Sequence, residues 1–221
     1  MGTLLLVRHG QASYGQADYD RLSPLGEAQA RAVGPALAGV DAIFVGPLRR
    51  QQQTAELARG SLTPVTLLEL AEYPAFELLQ QLVPRLAAED PAFAELTTAP
   101  TPKLLDRAFQ RILSAWARDE WRADGVETIA DFVARVRAGL EHAIRAASAP
   151  GARIACITSA GCIGVAVGLA LDAPYEAMVR TSIVIRNASI SEFRFRRETP
   201  TLTLAAFNHT AHLPADLHTE R

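Results

Sequence analysis

The chain has 221 residues, 49% of them hydrophobic, and a formal net charge of −2. That is enough apolar material for one sizeable domain, and the near-neutral balance argues against a general nucleic-acid surface or an acidic tail. No apolar run reaches membrane-spanning length without Gly, Pro or charge, and the apolar start at 3–7 is too short for a secretory signal, so a cytoplasmic protein without a membrane partner is expected.

The first apolar run, "TLLLVR" (3–8), reads as a strand buried on both faces. The stretch 23–39 then starts on Ser23 as N-cap with Pro24 in the first turn. It carries Ala28, Ala32, Val33 and Leu37 at helical spacing and closes at Gly39. "AIFV" (42–45) is a second buried strand, 48–60 a helix ending at Gly60, and 64–70 a third strand or a strand-to-loop passage.

From about 76 to 147 the pattern is helical, interrupted at 99–103 and 122–127. The segment 128–147 sets Ile129, Phe132, Val133, Val136, Leu140 and Ile144 on one face. Residues 152–159 form another strand and 160–171 a small-residue helix. Residues 182–187, 189–195 and 201–207 read as closing strands. Two cysteines, Cys156 and Cys162, read as reduced, buried thiols.

Strands alternating with helices predict an α/β fold, a three-layer α/β/α sandwich with a mostly parallel central sheet. One domain is expected over 1–221, with a helical cap insertion at about 73–125 lying over the strand ends, where open α/β sheets bind ligands.

Arg8, His9 and Gly10 fall where the first strand ends. A histidine there is held on rigid backbone. The adjacent guanidinium suits phosphate oxygens, and a glycine lets the backbone approach an anion closely. The chemistry that fits is attack on phosphorus by a neutral imidazole nitrogen, with nearby arginines stabilising the transition state and favouring the neutral ring. Arginine dominates the basic residues throughout, Lys103 being the single lysine, so an isolated Arg carries little weight. Gln11 reads either as a phosphate or leaving-group contact or as a loop amide bonding its own backbone. Ser13, Tyr14 and Gln16 read as lining the mouth of the pocket.

With these residues in view, the chain resembles the histidine phosphatase superfamily, also called phosphoglycerate mutase-like. "LLLVRHGQAS" is similar to its opening. "YDRLSPLGEAQARAVG" (19–34) is similar to its "LT-x-x-G-x-x-QA" helix, and "GPLRRQQQTAEL" (46–57) to "S-x-L-x-R-A-x-Q-T-A". "DGVETIADFVARV" (124–136) is similar to "G-E-S-x-x-x-F-x-x-R-V", with Val126 inserted and Thr128 for Ser.

The resemblance implies a phosphatase working without cofactor or metal on a small phosphorylated molecule. His9 would be phosphorylated in turnover, with Arg8, Gly10, Gln11 and Arg50 binding phosphate and Arg49 at the rim. It also implies a glutamate acid after the third strand. Glu72, followed by Tyr73, is preferred over Glu69, with Glu77 a more distant candidate.

One position departs from the pattern. Where most members read "V-S-H-G-G", this chain reads Ile157-Thr158-Ser159-Ala160-Gly161, which sets Ser159 in the place of the second histidine. Losing a preformed charged donor costs about 2.7–4 kcal/mol, or roughly 100- to 1,000-fold in rate. Phosphate binding should survive on Arg8, Arg50, Ser159 and the helix N-terminus at Ala160. A phosphate-ester binding or regulatory protein with little turnover, or a mutase-type phosphotransferase, are the alternatives. His142 reads as a helix-surface residue. His209 and His212 would reach the pocket only if the last segment folds back.

Overall fold

The computed structural model describes residues 1–13, 18–147, 149–198 and 201–219. Tyr14 and Gln16 lie outside the described residues. Among those described, one sheet runs in the order β3-β2-β4-β1-β5-β6, with β1 Gly2–Arg8, β2 Ala42–Val45, β3 Val65–Thr66, β4 Arg153–Thr158, β5 Ile190–Phe195 and β6 Leu202–His209. The pairs β3–β2, β2–β4 and β4–β1 are parallel, and β5 and β6 close the sheet antiparallel. This is the mostly parallel α/β architecture the alternation of elements predicts.

The central strands β1, β2 and β4 carry uninterrupted apolar runs because both faces are covered there. Leu5, Val7, Ile43, Val45, Ala155 and Ile157 face α1 (Pro24–Val33) and α2 (Arg49–Ala58). Leu4, Leu6, Phe44, Ile154, Cys156 and Phe193 face the opposite layer. That layer is built by α3 (Ala75–Glu89), α4 (Pro102–Ala117), α5 (Ile129–Ala146), α6 (Ala160–Ala170) and α7 (Tyr175–Ile183). Alternate strand residues thus serve two cores. Each fully buried Leu or Ile contributes about 1.5–3 kcal/mol. Both cysteines are free and buried. No described helix is long and apolar enough to cross a membrane.

Two boundaries differ from expectation, and the 64–70 segment takes its strand-to-loop alternative. Residues 182–187 are not a strand: Ser182 and Ile183 end α7, where Met178, Val179 and Ser182 are buried at helical spacing while Ile183 and Val184 are exposed. The β-branched run is a helix end and turn. The third strand is only Val65–Thr66, and a short 3-10 helix at Leu68–Leu70 then turns the chain back across the sheet. The helix read over 23–39 stops at Val33 and continues as a 3-10 turn through Pro35, which has no amide hydrogen to extend the α ladder.

The sheet register positions the site. Arg8 pairs with Thr158 at the C-terminal ends of β1 and β4. His9 and Ser159 therefore leave the sheet at the same level, and the His9 amide still donates to the Thr158 carbonyl at 2.9 Å.

Candidate active site

His9 is buried, 6% exposed, and both ring nitrogens are engaged. Nδ1 lies 2.7 Å from the Gly10 carbonyl, and the Nε–H of Arg50 points at Nε2 from 3.0 Å. A carbonyl only accepts and a guanidinium only donates, so the ring carries its proton on Nδ1 and presents a lone pair at Nε2. Burial, then the charges of Arg50 and Arg8, hold the imidazole well below its ordinary range, against the opposing pull of the Gly10 contact. His9 is a neutral base beside two cations.

Gly10 serves packing. Its amide donates to Thr54 Oγ1 at 3.1 Å, and a Cβ there would stand 2.3 Å from the Gly26 carbonyl oxygen. Gly26 needs the same room, since its own Cβ would meet the Gln11 carbonyl at 2.1 Å. The two glycines let the start of α1 pass directly against the His9 loop. Gln29 of α1 accepts from the Gln11 amide at 2.8 Å. The Gln11 side-chain oxygen accepts from the Ser23 hydroxyl at 2.9 Å.

Of the two adjacent arginines at the start of α2, Arg49 turns outward to an exposed pairing with Asp18. Arg50 turns inward and is buried. Besides His9, its guanidinium pairs with Asp20, and the Tyr19 ring lies 5.6 Å from it. Asp20 Oδ2 also accepts the Arg49 amide at 2.8 Å, holding the start of α2. Asp20 is a site residue that the sequence pattern did not single out. Arg8 is partly buried and donates from Nη1 to the Ile185 carbonyl. Burial lowers its pKa, and the nearby Glu72 charge opposes this. Arg8 and Arg50 thus act on the same two groups, His9 and Glu72.

The 3-10 turn after β3 delivers Glu72 to the start of α6. The Gly161 amide donates to Glu72 Oε2 at 3.0 Å and the Tyr73 amide to Oε1 at 3.1 Å. Burial raises the carboxyl pKa above its ordinary range, while the Gly161 amide, Arg50, the Tyr73 amide and Arg8 pull the other way. A Cβ on Gly161 would stand 2.1 Å from Glu72 Oε1, so this approach requires glycine there.

The backbone before Glu72 is clamped from three sides. Arg135 Nη1 donates to the Glu69 and Ala71 carbonyls at 2.7 and 3.1 Å, Thr158 Oγ1 to Leu70 at 2.8 Å, and Cys162 Sγ to Ala71 at 3.2 Å. Tyr73 packs at a tilt against Trp116 and edge-to-face against Phe132, at ring distances of 5.5 and 5.6 Å, tying the segment to α4 and α5. The Glu69 side chain instead packs its Cβ toward Gly139 of α5.

Ser159 is fully buried at the N-terminal end of α6, and its Oγ lies 2.8 Å from Gln51 Nε2. Ala160 opens that helix next to it. His142 is exposed on α5. His212 Nε2 lies 2.9 Å from the Ala188 carbonyl, and the Ala188 amide donates to the His9 carbonyl at 3.2 Å. His212 therefore sits behind the His9 loop. His209 packs edge-on against His212 with ring centroids 6.0 Å apart.

The family model of the histidine phosphatase superfamily (branch 1) matches residues 4–208. A comparison with curated protein sequences gave no match. Solved structures share the fold at low identity. A phosphoserine phosphatase from Entamoeba histolytica, in complex with 3-phosphoglyceric acid, is 21% identical, with 97% of this chain and 100% of that one covered at a TM-score of 0.65. A mycobacterial glucosyl-3-phosphoglycerate phosphatase, in complex with inorganic phosphate, is 22% identical with the same coverage at a TM-score of 0.68. YhfR of Bacillus stearothermophilus is 18% identical, covered 96% and 99%, at 0.67. With its Arg-His-Gly strand end, its inward Arg50 and a match over nearly the whole length, the chain belongs to the histidine phosphatase superfamily.

Proposed function

We propose that this chain is a phosphatase that hydrolyses a small phosphomonoester through a phosphohistidine on His9. The observation that carries this reading is the neutral His9 ring, its Nε2 lone pair turned to the buried Arg50 guanidinium. Membership of the superfamily and the phosphatases that share the fold support phosphatase-type activity.

In the first step the Nε2 lone pair forms an N–P bond as the P–O bond to the leaving group breaks. Arg8 and Arg50 hold the non-bridging oxygens, whose negative charge they stabilise. The phosphoryl group takes the place on Arg50 Nε that Nε2 fills in the free protein. Glu72, whose burial favours its protonated form, gives its proton to the departing oxygen. In the second step water attacks phosphorus and gives a proton to the Glu72 carboxylate. The N–P bond breaks and its electron pair returns to Nε2. The helices α3 and α4, within 73–125, form the cap that receives the leaving group beyond Glu72 and Tyr73.

Ser159 supports a second reading, a binding or regulatory protein with little turnover, because a hydroxyl stands where the family pattern carries an imidazole. A panel of phosphorylated metabolites, assayed without added metal on wild type and His9→Ala, separates the two. The phosphatase reading expects phosphate release from at least one ester, lost in His9→Ala. Esters that bind with no release, or release undiminished in the variant, would contradict it.

A further inference from the structure

We propose that Gln51 is a positioning residue for Ser159, fixing the serine hydroxyl so that its proton is presented to the phosphoryl group. The proposal rests on the phosphatase reading above.

The orientation of the Gln51 amide is determined by backbone. Oε1 accepts the Leu48 amide at 3.0 Å, and Nε2 donates to the Leu70 carbonyl at 3.1 Å. Turning the amide over would set two oxygens against each other at Leu70 and two N–H groups against each other at Leu48. The atom 2.8 Å from Ser159 Oγ is therefore a donor, and the serine oxygen accepts. Its own O–H must point elsewhere. Among the described residues no acceptor for that proton is in reach, and full burial keeps bulk water away. A buried donor left without an acceptor is costly unless something arrives to receive it. Ser159 is flanked by Thr158, whose carbonyl holds the His9 amide, and by the turn whose Gly161 amide holds Glu72. On the phosphatase reading, a phosphoryl oxygen held between His9 and Glu72 would be the acceptor of that proton.

A third position completes the arrangement. A Cβ on Gly46 would stand 2.2 Å from Gln51 Oε1 and 2.6 Å from the Leu70 carbonyl oxygen. Only glycine leaves room for the glutamine. In the motifs matched above, positions 46, 51 and 159 carry Ser, Ala and His; here they carry Gly, Gln and Ser. The three departures meet at one point. Here the Gln51 amide and the Ser159 hydroxyl fill this space together, with Gly46 leaving room for the amide.

A double-mutant cycle tests this. Wild type, Gln51→Ala, Ser159→Ala and the double variant are compared in kcat and KM on p-nitrophenyl phosphate and in vanadate affinity. Gln51→Ala leaves the Leu70 carbonyl with its Thr158 hydrogen bond, and Gln51→Met is the size-matched control should the alanine variant not fold. Each single change is expected to lower kcat and vanadate affinity by about 10- to 100-fold, the worth of a hydrogen bond to a charged group, with KM little changed. The double variant should be no worse than either single one. Losses that multiply, or a Gln51 variant equal to wild type while Ser159→Ala is impaired, would overturn the role of Gln51. Ser159→Ala binding vanadate as tightly as wild type would overturn the proposal altogether. Failure of the phosphatase reading shows separately, as undiminished turnover in His9→Ala.

Discussion

Arg50 donates its Nε–H to His9 Nε2 across 3.0 Å, and the same guanidinium is paired with Asp20. Together with burial this cation holds the imidazole neutral, and in the proposed reaction it would also receive the phosphoryl charge.

Arg50→Lys is expected to lower kcat/KM on an aryl phosphate by about 100- to 1,000-fold, because an ammonium cannot meet His9 and a phosphoryl group in one planar fork. Arg49→Lys should stay within about 2-fold, since its pairing with Asp18 is exposed. Comparable losses in both variants would show that the inward and outward arginines have been misassigned.

The pH dependence follows from two opposite shifts. His9 lies below its ordinary 6.5 through burial and the charges of Arg50 and Arg8, so it stays neutral into the acid range. Glu72 lies above its ordinary 4.5 through burial, so it stays protonated beyond that pH. Turnover should fall on the acid side as His9 gains a proton and on the alkaline side as Glu72 ionises, and Glu72→Gln should lose that alkaline limb. The stability signs also differ. The raised Glu72 contributes stability that is full below pH 4.5 and lost as pH rises through its folded value. The lowered His9 contributes stability present above pH 6.5 and lost as pH falls. Melting curves of wild type and Glu72→Gln at pH 5 and 8 check this: the variant should gain on wild type at the higher pH.

Leaving-group chemistry separates the two glutamates. Glu72→Gln should slow an alkyl phosphate by about 100-fold or more and an aryl phosphate with an acidic phenol far less, because only the poor leaving group needs the proton. Glu69→Gln should leave both rates near wild type. Gly161→Ala, whose Cβ would sit 2.1 Å from Glu72 Oε1, should behave like Glu72→Gln. An equal loss on both substrates in Glu72→Gln would argue against the acid role.

Ser159→His alone should not raise turnover. The position is fully buried with Gln51 against it, and forcing a ring into filled space costs about 1–3 kcal/mol, a fall in melting temperature of roughly 2–4 °C for each. Adding Gln51→Ala should recover melting temperature. A single Ser159→His variant that is both stable and faster than wild type would refute this.

The strand and helix alternation was legible because burial on both faces leaves uninterrupted apolar runs such as Leu4-Leu5-Leu6-Val7, and because Ser23-Pro24 and Thr128 carry cap chemistry that is local in sequence. The inward Arg50 followed from a motif register. Less was legible where tertiary contact decides. Ile183 and Val184 read as strand by composition, yet the buried partners of Met178 and Val179 hold that segment in a helix. Gln51 sits in a run of three glutamines whose other members bond loop backbone, Gln52 to the Gly46 carbonyl and Gln53 to the Leu22 amide. Nothing in the string distinguishes the one that reaches Ser159, 108 residues away. Asp20 meets Arg50 only after the loop folds over α2, which no spacing rule encodes.

The central claim is that His9 carries the phosphoryl group, and trapping that intermediate tests it most directly. Wild type, Glu72→Gln and His9→Ala are quenched during turnover of a phosphomonoester, and the digested protein is mapped by mass spectrometry under alkaline conditions that preserve phosphoramidates. The account predicts one acid-labile phosphate on the peptide that contains His9, in wild type and Glu72→Gln, and none in His9→Ala. Phosphate on another residue, or full turnover by His9→Ala, would contradict it.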